Sequence, residues 1–183
     1  MTATVSDAKE YVILVDEQDR QIGLDEKMSA HQNNRLHRAF SVFIFRHATR
    51  LELLLQQRAL HKYHSPGLWT NTCCSHPRPG ESVTDAGERR LREELGISTS
   101  LNDLGWFQYN AHFPNGLSEN EIDHVLVGMV SENEAITVNP DEVHTCRWIT
   151  LEDLQKEMTD APERFTPWFK QALEIAKQHL KAV

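Results

Sequence analysis

A chain of 183 residues, 39% hydrophobic and 25% charged, has the size and composition of one soluble globular domain with a substantial core. Its formal charge of −8 argues against non-specific binding to DNA or anionic lipid, and no apolar run reaches membrane-spanning length. Met1–Glu10 lacks the basic-then-apolar order of a signal peptide, and three cysteines, two of them adjacent, do not form a disulfide framework, so a reducing, cytoplasmic setting is expected.

Tyr11–Val15 reads as a strand that ends in the polar turn Asp16–Asp19. Ala39–Phe45 and Leu51–Gln57, joined by Arg46–Arg50, read as a hairpin. Pro66-Gly67 marks a turn into the extended piece Leu68–Thr70. The clearest helix runs from Val83 to Leu95, with Ser82 as N-cap, Asp85 three residues on and Gly96 at the C′ position. Leu91 and Leu95 share one face of it, and Arg90 and Glu94 another. Gly87 inside it costs helix stability, which points to close packing or close ligand approach. His124–Val130 and Thr145–Ile149 read as strands. An amphipathic helix is expected from Pro167 to about Lys181, with proline in its first turn. This mixture predicts a layered α/β or α+β domain without repeats or linkers.

The chemistry concentrates in two short stretches. Thr70–Pro77 places Cys74 and His76 two residues apart, and Glu119-Asn120-Glu121 places two carboxylates at the same spacing. In an extended chain such pairs project to one face. With His31 and His37, which a loop would have to bring together, they can hold a zinc, manganese or magnesium ion beside a reactive cysteine. Glu119 and Glu121 could be merely a solvated loop, but the Asn115-Gly116 turn before them and the apolar run after His124 place them at the mouth of a strand. Cys74 shares a face with His76 and is the better reactive candidate. Cys146 and one of the adjacent pair read as small buried hydrophobes. His47, His61, His64 and His179 lie in polar contexts and read as solvated.

From Gly80-Glu81 through Arg89-Arg90-Leu91-Arg92-Glu93-Glu94-Leu95-Gly96-Ile97 the chain resembles the Nudix box, a loop and helix that present glutamates to a metal–diphosphate complex. Arg90 stands where the box has glutamate. That exchange removes a metal ligand important for hydrolysis and adds a group able to bind diphosphate.

Thr70–Pro77, Glu119–Glu121, Arg35–Ser41, Gln57–Ala59 and Phe165–Trp168 together resemble type I isopentenyl-diphosphate isomerases, from about Tyr11 to the last helix. Ser75 replaces a glycine found in some members. The resemblance implies a Nudix-like mixed β-sheet core flanked by helices, one compact domain over residues 1–183 with a flexible segment up to residue 10. It implies interconversion of isopentenyl and dimethylallyl diphosphates by protonation and deprotonation through a tertiary carbocation. Cys74 and Glu121 resemble the two catalytic groups on opposite sides of the substrate, Tyr109 the tyrosine that assists the glutamate, and Trp168 the aromatic that faces the hydrocarbon. His31, His37, His76, Glu119 and Glu121 resemble the ligands of a first metal (manganese, magnesium or zinc). Glu94 resembles the ligand of a magnesium that arrives with the diphosphate. Lys27, Arg58, Lys62 and Arg90 resemble the basic clamp on the diphosphate. Trp69 could line the pocket, whereas Trp106 and Trp148 read as core. A prenyl diphosphate is the expected partner, with no nucleic acid or membrane, and the chain a monomer or weak dimer. A Nudix hydrolase of nucleoside or prenyl diphosphates and a metal-stabilised binding domain are the alternatives.

Overall fold

The computed structural model describes residues 10–62 and 64–181; the expected N-terminal segment lies outside them up to Lys9. The elements run β1 (Tyr11–Val15), β2 (Gln21–Glu26), α1 (Lys27–Gln32), β3 (His37–His47), β4 (Leu51–Arg58), β5 (Trp69–Thr70), β6 (Cys73–Ser75), α2 (Val83–Leu95), β7 (Asn102–His112), β8 (Ser118–Val130), β9 (Val143–Thr150), α3 (Leu151–Asp160) and α4 (Phe169–Lys181). Nine strands form one mixed sheet with β3 at its hub. One edge of β3 pairs in parallel with β8 from His37↔Glu121 to Arg46↔Val130. Its other edge is shared by β1, β6 and β4 in succession.

β3 is apolar almost throughout because both faces of the sheet are covered. Phe43 and Phe45 point to the side of α4, against Phe169, Ala172, Leu173 and Ala176. Phe40, Val42 and Ile44 point to the side of α2, against Ala86, Leu91 and Leu95. The α2 boundaries match the sequence reading. Ser82 Oγ accepts the Asp85 amide at 3.2 Å, and Gly96 closes the helix at φ 66°. Gly87 is explained by packing: a Cβ there would stand 2.6 Å from Leu126 Cδ1 and 2.9 Å from Leu101 Cδ1. Gly87→Leu is expected to overpack this interface and lower stability by about 1–3 kcal/mol, read from urea melts.

Other readings are corrected. Glu119 and Glu121 lie within β8, not in a loop before it, and the last strand is longer than expected, Val143–Thr150. α4 starts at Phe169, leaving Pro167 and Trp168 in the turn ahead of it. Trp106 is 40% exposed, whereas its neighbours Leu104 and Phe107 pack against the α4-side core. Trp148, read as core, does pack against the α2-side core, half-buried beneath the Arg46 guanidinium 4.2 Å from its ring centre.

One polar network fastens the β1–β2 turn to the far side of the sheet. His124 Nδ1 lies 2.8 Å from Asp103 Oδ2, and its Nε2 lies 2.7 Å from Asp19 Oδ2. Arg38 donates to Asp19 from the other side at 2.8 Å. Burial alone would lower the His124 pKa, but Asp103 and Asp19 raise it overall. Burial opposes ionisation of Asp103 too, but His124 holds its pKa below the ordinary value. The stabilisation from His124 is therefore complete below its ordinary value of 6.5 and is lost as pH rises through the raised folded value. That from Asp103 is complete above 3.8 and is lost as pH falls through the lowered folded value. His124→Gln is expected to cost about 1.5–3 kcal/mol near pH 6. The gap to the parent should narrow towards pH 9 in denaturant melts.

Candidate active site

Three imidazoles converge where α1, β3 and β6 meet. His31 Nδ1 donates to the Lys27 carbonyl at 2.7 Å, and His37 Nδ1 donates to the Arg35 carbonyl at 2.8 Å. These bonds fix the tautomers and leave each Nε2 as the ligand atom, the usual arrangement of metal-binding histidines. His37 Nε2 lies 3.2 Å from His76 Nε2, and Glu121 Oε1 lies 3.1 Å from His76 Nε2 and 3.4 Å from His37 Nε2. Ligand atoms of His31, His37 and His76 all fall within 4.8 Å of one another. Burial pushes the His31 pKa down to about 4, with the charge of His37 adding to the effect, and burial pushes His76 down to about 4 as well. Both are therefore neutral at pH 7, as ligands must be. Burial alone would raise Glu121, but hydrogen bonds from His37 and His76 hold it well below the carboxylate range. The donor set fits a divalent ion.

Sheet register explains the convergence. His37 is paired with Glu121 across β3 and β8, and Glu121 with Tyr109 across β8 and β7, so the three form one row. Glu119, Glu121 and Asp123 alternate along β8 and share a face. Tyr109 Oη is buried and has no hydrogen-bond partner among the described residues. Its ring meets Trp168 edge-on at 6.1 Å. Burial, followed by the nearby carboxylates, pushes its hydroxyl pKa up.

A cavity of about 470 Å³ opens beside these residues. Cys74, Glu121 and Trp168 line it, and Lys27, Arg58, Lys62 and Arg90 form its basic wall. Every clamp residue expected from the sequence is therefore in one place, in a protein of net charge −8. Arg58 Nε and Arg90 Nε are buried without partners among the described residues, an arrangement that suits an anion. Glu142, absent from the sequence reading, closes this wall: it forms a short ion pair with Lys62 and lies 3.5 Å from Arg90. Glu94 is buried behind Arg90, 3.7 Å from its guanidinium, and accepts from Cys73 Sγ at 2.8 Å.

Cys73 and Cys74 point to opposite sides of β6, as alternation demands. Cys73 packs in the α2-side core, and Cys74 faces the cavity. Because β6 and β8 occupy opposite edges of β3, Cys74 and Glu121 stand on opposite sides of that strand. Asn71 organises the thiol side. Its Oδ1 accepts from Thr70 Oγ1 at 2.8 Å, Cys74 Sγ at 3.2 Å and Trp168 Nε1 at 3.2 Å. Its Nδ2 donates to the carbonyls of Val42 and Cys73. Ser41 Oγ lies 3.8 Å from Cys74 Sγ and within 3.0 Å of both Asp123 oxygens. Burial, followed by the Asp123 charge, pushes the Cys74 thiol up to about 12, so it keeps its proton at pH 7.

Two expectations fail. His64 is 6% exposed, not solvated: its Nε2 lies 2.6 Å from Glu119 Oε1 and its ring stacks on Phe113 at 5.0 Å. Trp69 sits under the Arg147 guanidinium, 4.6 Å away, against the α4-side core, and not on the cavity wall. His47 and His61 are exposed, as expected, and His179 is half-buried. Asn71, Ser41, Asp123 and Glu142 escaped the sequence reading. For Asp123 the signal was present as a third alternate acid on β8.

A mixed sheet between helices, with an acid-and-base cavity at the capped helix α2, defines a Nudix-type enzyme. Residues 35–169 match the NUDIX domain model. DR0079 from Deinococcus radiodurans superposes with a TM-score of 0.69 at 20% identity, over 92% of this chain and 98% of that one. The Nudix hydrolase RenU from M. smegmatis gives 0.61 at 14% identity, over 96% and 97%. These two show the fold alone. Within that fold the chain belongs to the isopentenyl-diphosphate Delta-isomerase family. It is 51% identical to the enzyme of that name from Photobacterium profundum over 177 residues, 95% of this chain and 98% of the relative. It is also 51% identical to the one from Burkholderia multivorans over 170 residues, 92% and 93% respectively.

Proposed function

We propose that the chain interconverts isopentenyl and dimethylallyl diphosphates, adding a proton to the terminal alkene carbon and removing one from C2. The observation that carries this reading is a thiol and a carboxylate on opposite sides of β3, lining one cavity whose further wall is cationic. Those are the two kinds of group that a proton-in, proton-out exchange needs. Lys27, Arg58, Lys62 and Arg90 bind the diphosphate, displacing the contacts that Glu142 makes with Lys62 and Arg90. Cys74 and Glu121 exchange protons with the two faces of the hydrocarbon, and the Tyr109 hydroxyl, opposite Glu121, supports the carboxylate. The Trp168 ring, held by Asn71, lies against the tertiary cation and stabilises it by about 2 kcal/mol in a desolvated site.

His31, His37, His76, Glu119 and Glu121 would hold manganese, magnesium or zinc, and Glu94 a magnesium that enters with the diphosphate. The first ion would supply a fixed positive charge that tunes the basicity of Glu121. Arg90 in place of the box glutamate disfavours hydrolysis. The enzyme would serve isoprenoid biosynthesis in the cytoplasm as a monomer or weak dimer, its free thiols matching a reducing compartment. None of its described helices is long and apolar enough to cross a membrane.

The test is incubation of the metal-loaded protein with isopentenyl diphosphate in deuterated water, followed by proton and phosphorus NMR. Deuterated dimethylallyl diphosphate with the diphosphate intact is expected. Release of phosphate would make the protein a hydrolase. Unchanged spectra with ligand bound would make it a binding domain.

A further inference from the structure

We propose that His64 is a direct ligand of the first metal, making that centre a set of four imidazoles and two carboxylates with no position left for water. The inference rests on the metal-site reading above. His64 lies in the loop between β4 and β5, where Leu60, His61 and Pro66 are exposed. Among the described residues of this loop it alone is a buried titratable group, and burial of an imidazole demands strong partners. The loop is built to hold it: Arg58 Nη2 donates to the His64 carbonyl at 3.3 Å, Phe113 stacks on its ring, and Trp168 meets it edge-on at 6.0 Å.

The imidazole points at the metal ligands. His64 Nε2 lies 2.6 Å from Glu119 Oε1, and ligand atoms of His31, His64 and Glu119 fall within 4.8 Å of one another. His31, His37 and His76 form a second such group, and the two share His31. Glu121 bridges His37 and His76. The two groups thus join through His31, with Glu121 beside the first, so six donors line one region of the site. An octahedral ion with bonds of about 2.1 Å places adjacent donors about 3 Å apart and opposite ones about 4.2 Å apart. Reaching that arrangement would draw His64 and Glu119 closer to His37 and His76, which belong to the other group. A histidine that merely oriented Glu119 would not need to approach His31 as well.

Two chemical consequences follow. Four imidazoles favour a transition ion over magnesium. A centre saturated by protein donors has no metal-bound water, so it acts by its charge and by fixing the carboxylates, unlike catalytic ions that keep an open position.

The experiment uses the full chain loaded with one equivalent of Mn²⁺. Water-proton relaxation reports water on the ion, and chelator competition reports affinity. The parent protein should show no exchangeable inner-sphere water. His64→Ala should gain one such water and bind Mn²⁺ about 10–100-fold more weakly. His64→Asn, more polar and larger, gives the same readout if the alanine variant folds poorly. An exchangeable water on Mn²⁺ in the parent, unaltered by His64→Ala, would overturn the proposal. So would a loss of affinity with no new water, which would make His64 an orienting partner of Glu119. His37→Ala serves as the control. If it leaves Mn²⁺ affinity unchanged, the metal-site reading itself fails, and with it the role of His64.

Discussion

Cys74→Ala is expected to lower the rate of isomerisation by about 10²- to 10⁴-fold, the range for loss of a positioned acid–base group. Fold and metal content should survive, because the structure absorbs the loss of the sulfur locally. Asn71 Oδ1 keeps its donors Thr70 and Trp168, and the Ser41 hydroxyl remains on Asp123. No buried polar atom is orphaned, so the stability change should stay within about 1 kcal/mol. Deuterium NMR gives the rate, a denaturant melt the stability and elemental analysis the bound metal. Near-parental turnover would remove Cys74 from the chemistry. Inactivity accompanied by unfolding would make it a core residue. Cys74→Ser should stay near the alanine level, since a hydroxyl is a far weaker acid than even a thiol raised to about 12.

The same local order explains what could be read from the chain. The i, i+2 rule for an extended chain identified Cys74 with His76, and Glu119 with Glu121, without three-dimensional information. α2 was legible because its start and stop are written in Ser82, Asp85 and Gly96. β7 was not, since Leu104, Trp106, Phe107 and Tyr109 break the two-residue alternation. The break is a register shift between Asp103 and Trp106, around Gly105 at φ 108°. The start of α4 was misplaced by a tertiary effect: the Thr166 amide is held by the Trp69 carbonyl at 3.0 Å, and the Trp168 indole by Asn71. These bonds hold Pro167 and Trp168 in the turn although the local pattern favours helix. His64 has no local signal at all. Its neighbours Ser65, Pro66 and Gly67 form a surface turn, and Phe113, Glu119 and Trp168, about fifty to a hundred residues on, reveal where its ring lies.

Glu121→Gln is expected to damage two properties that Cys74→Ala leaves separate. Glu121 is the central member of the row from His37 through β8 to Tyr109, and its Oε1 faces both His37 Nε2 and His76 Nε2. On the proposed reading, removing its charge takes an anionic donor from the metal and a proton carrier from the reaction. Turnover should fall by at least about 10³-fold. Affinity for a divalent ion should fall by at least the 10- to 100-fold typical of losing a supporting partner. The amide keeps the size of the side chain, so Phe107, Ile122 and the sheet register should not change, and the fold serves as the internal control. A variant that loses turnover but binds metal as the parent does would show that the two roles belong to different residues, with His31, His37, His76 and Glu119 sufficient for the ion. A variant that loses metal but regains turnover at high metal concentration would make Glu121 a ligand only and leave the second proton-transfer role to another group. Asp123, two residues along the same face and bonded to Ser41 beneath Cys74, stands nearest to inherit it.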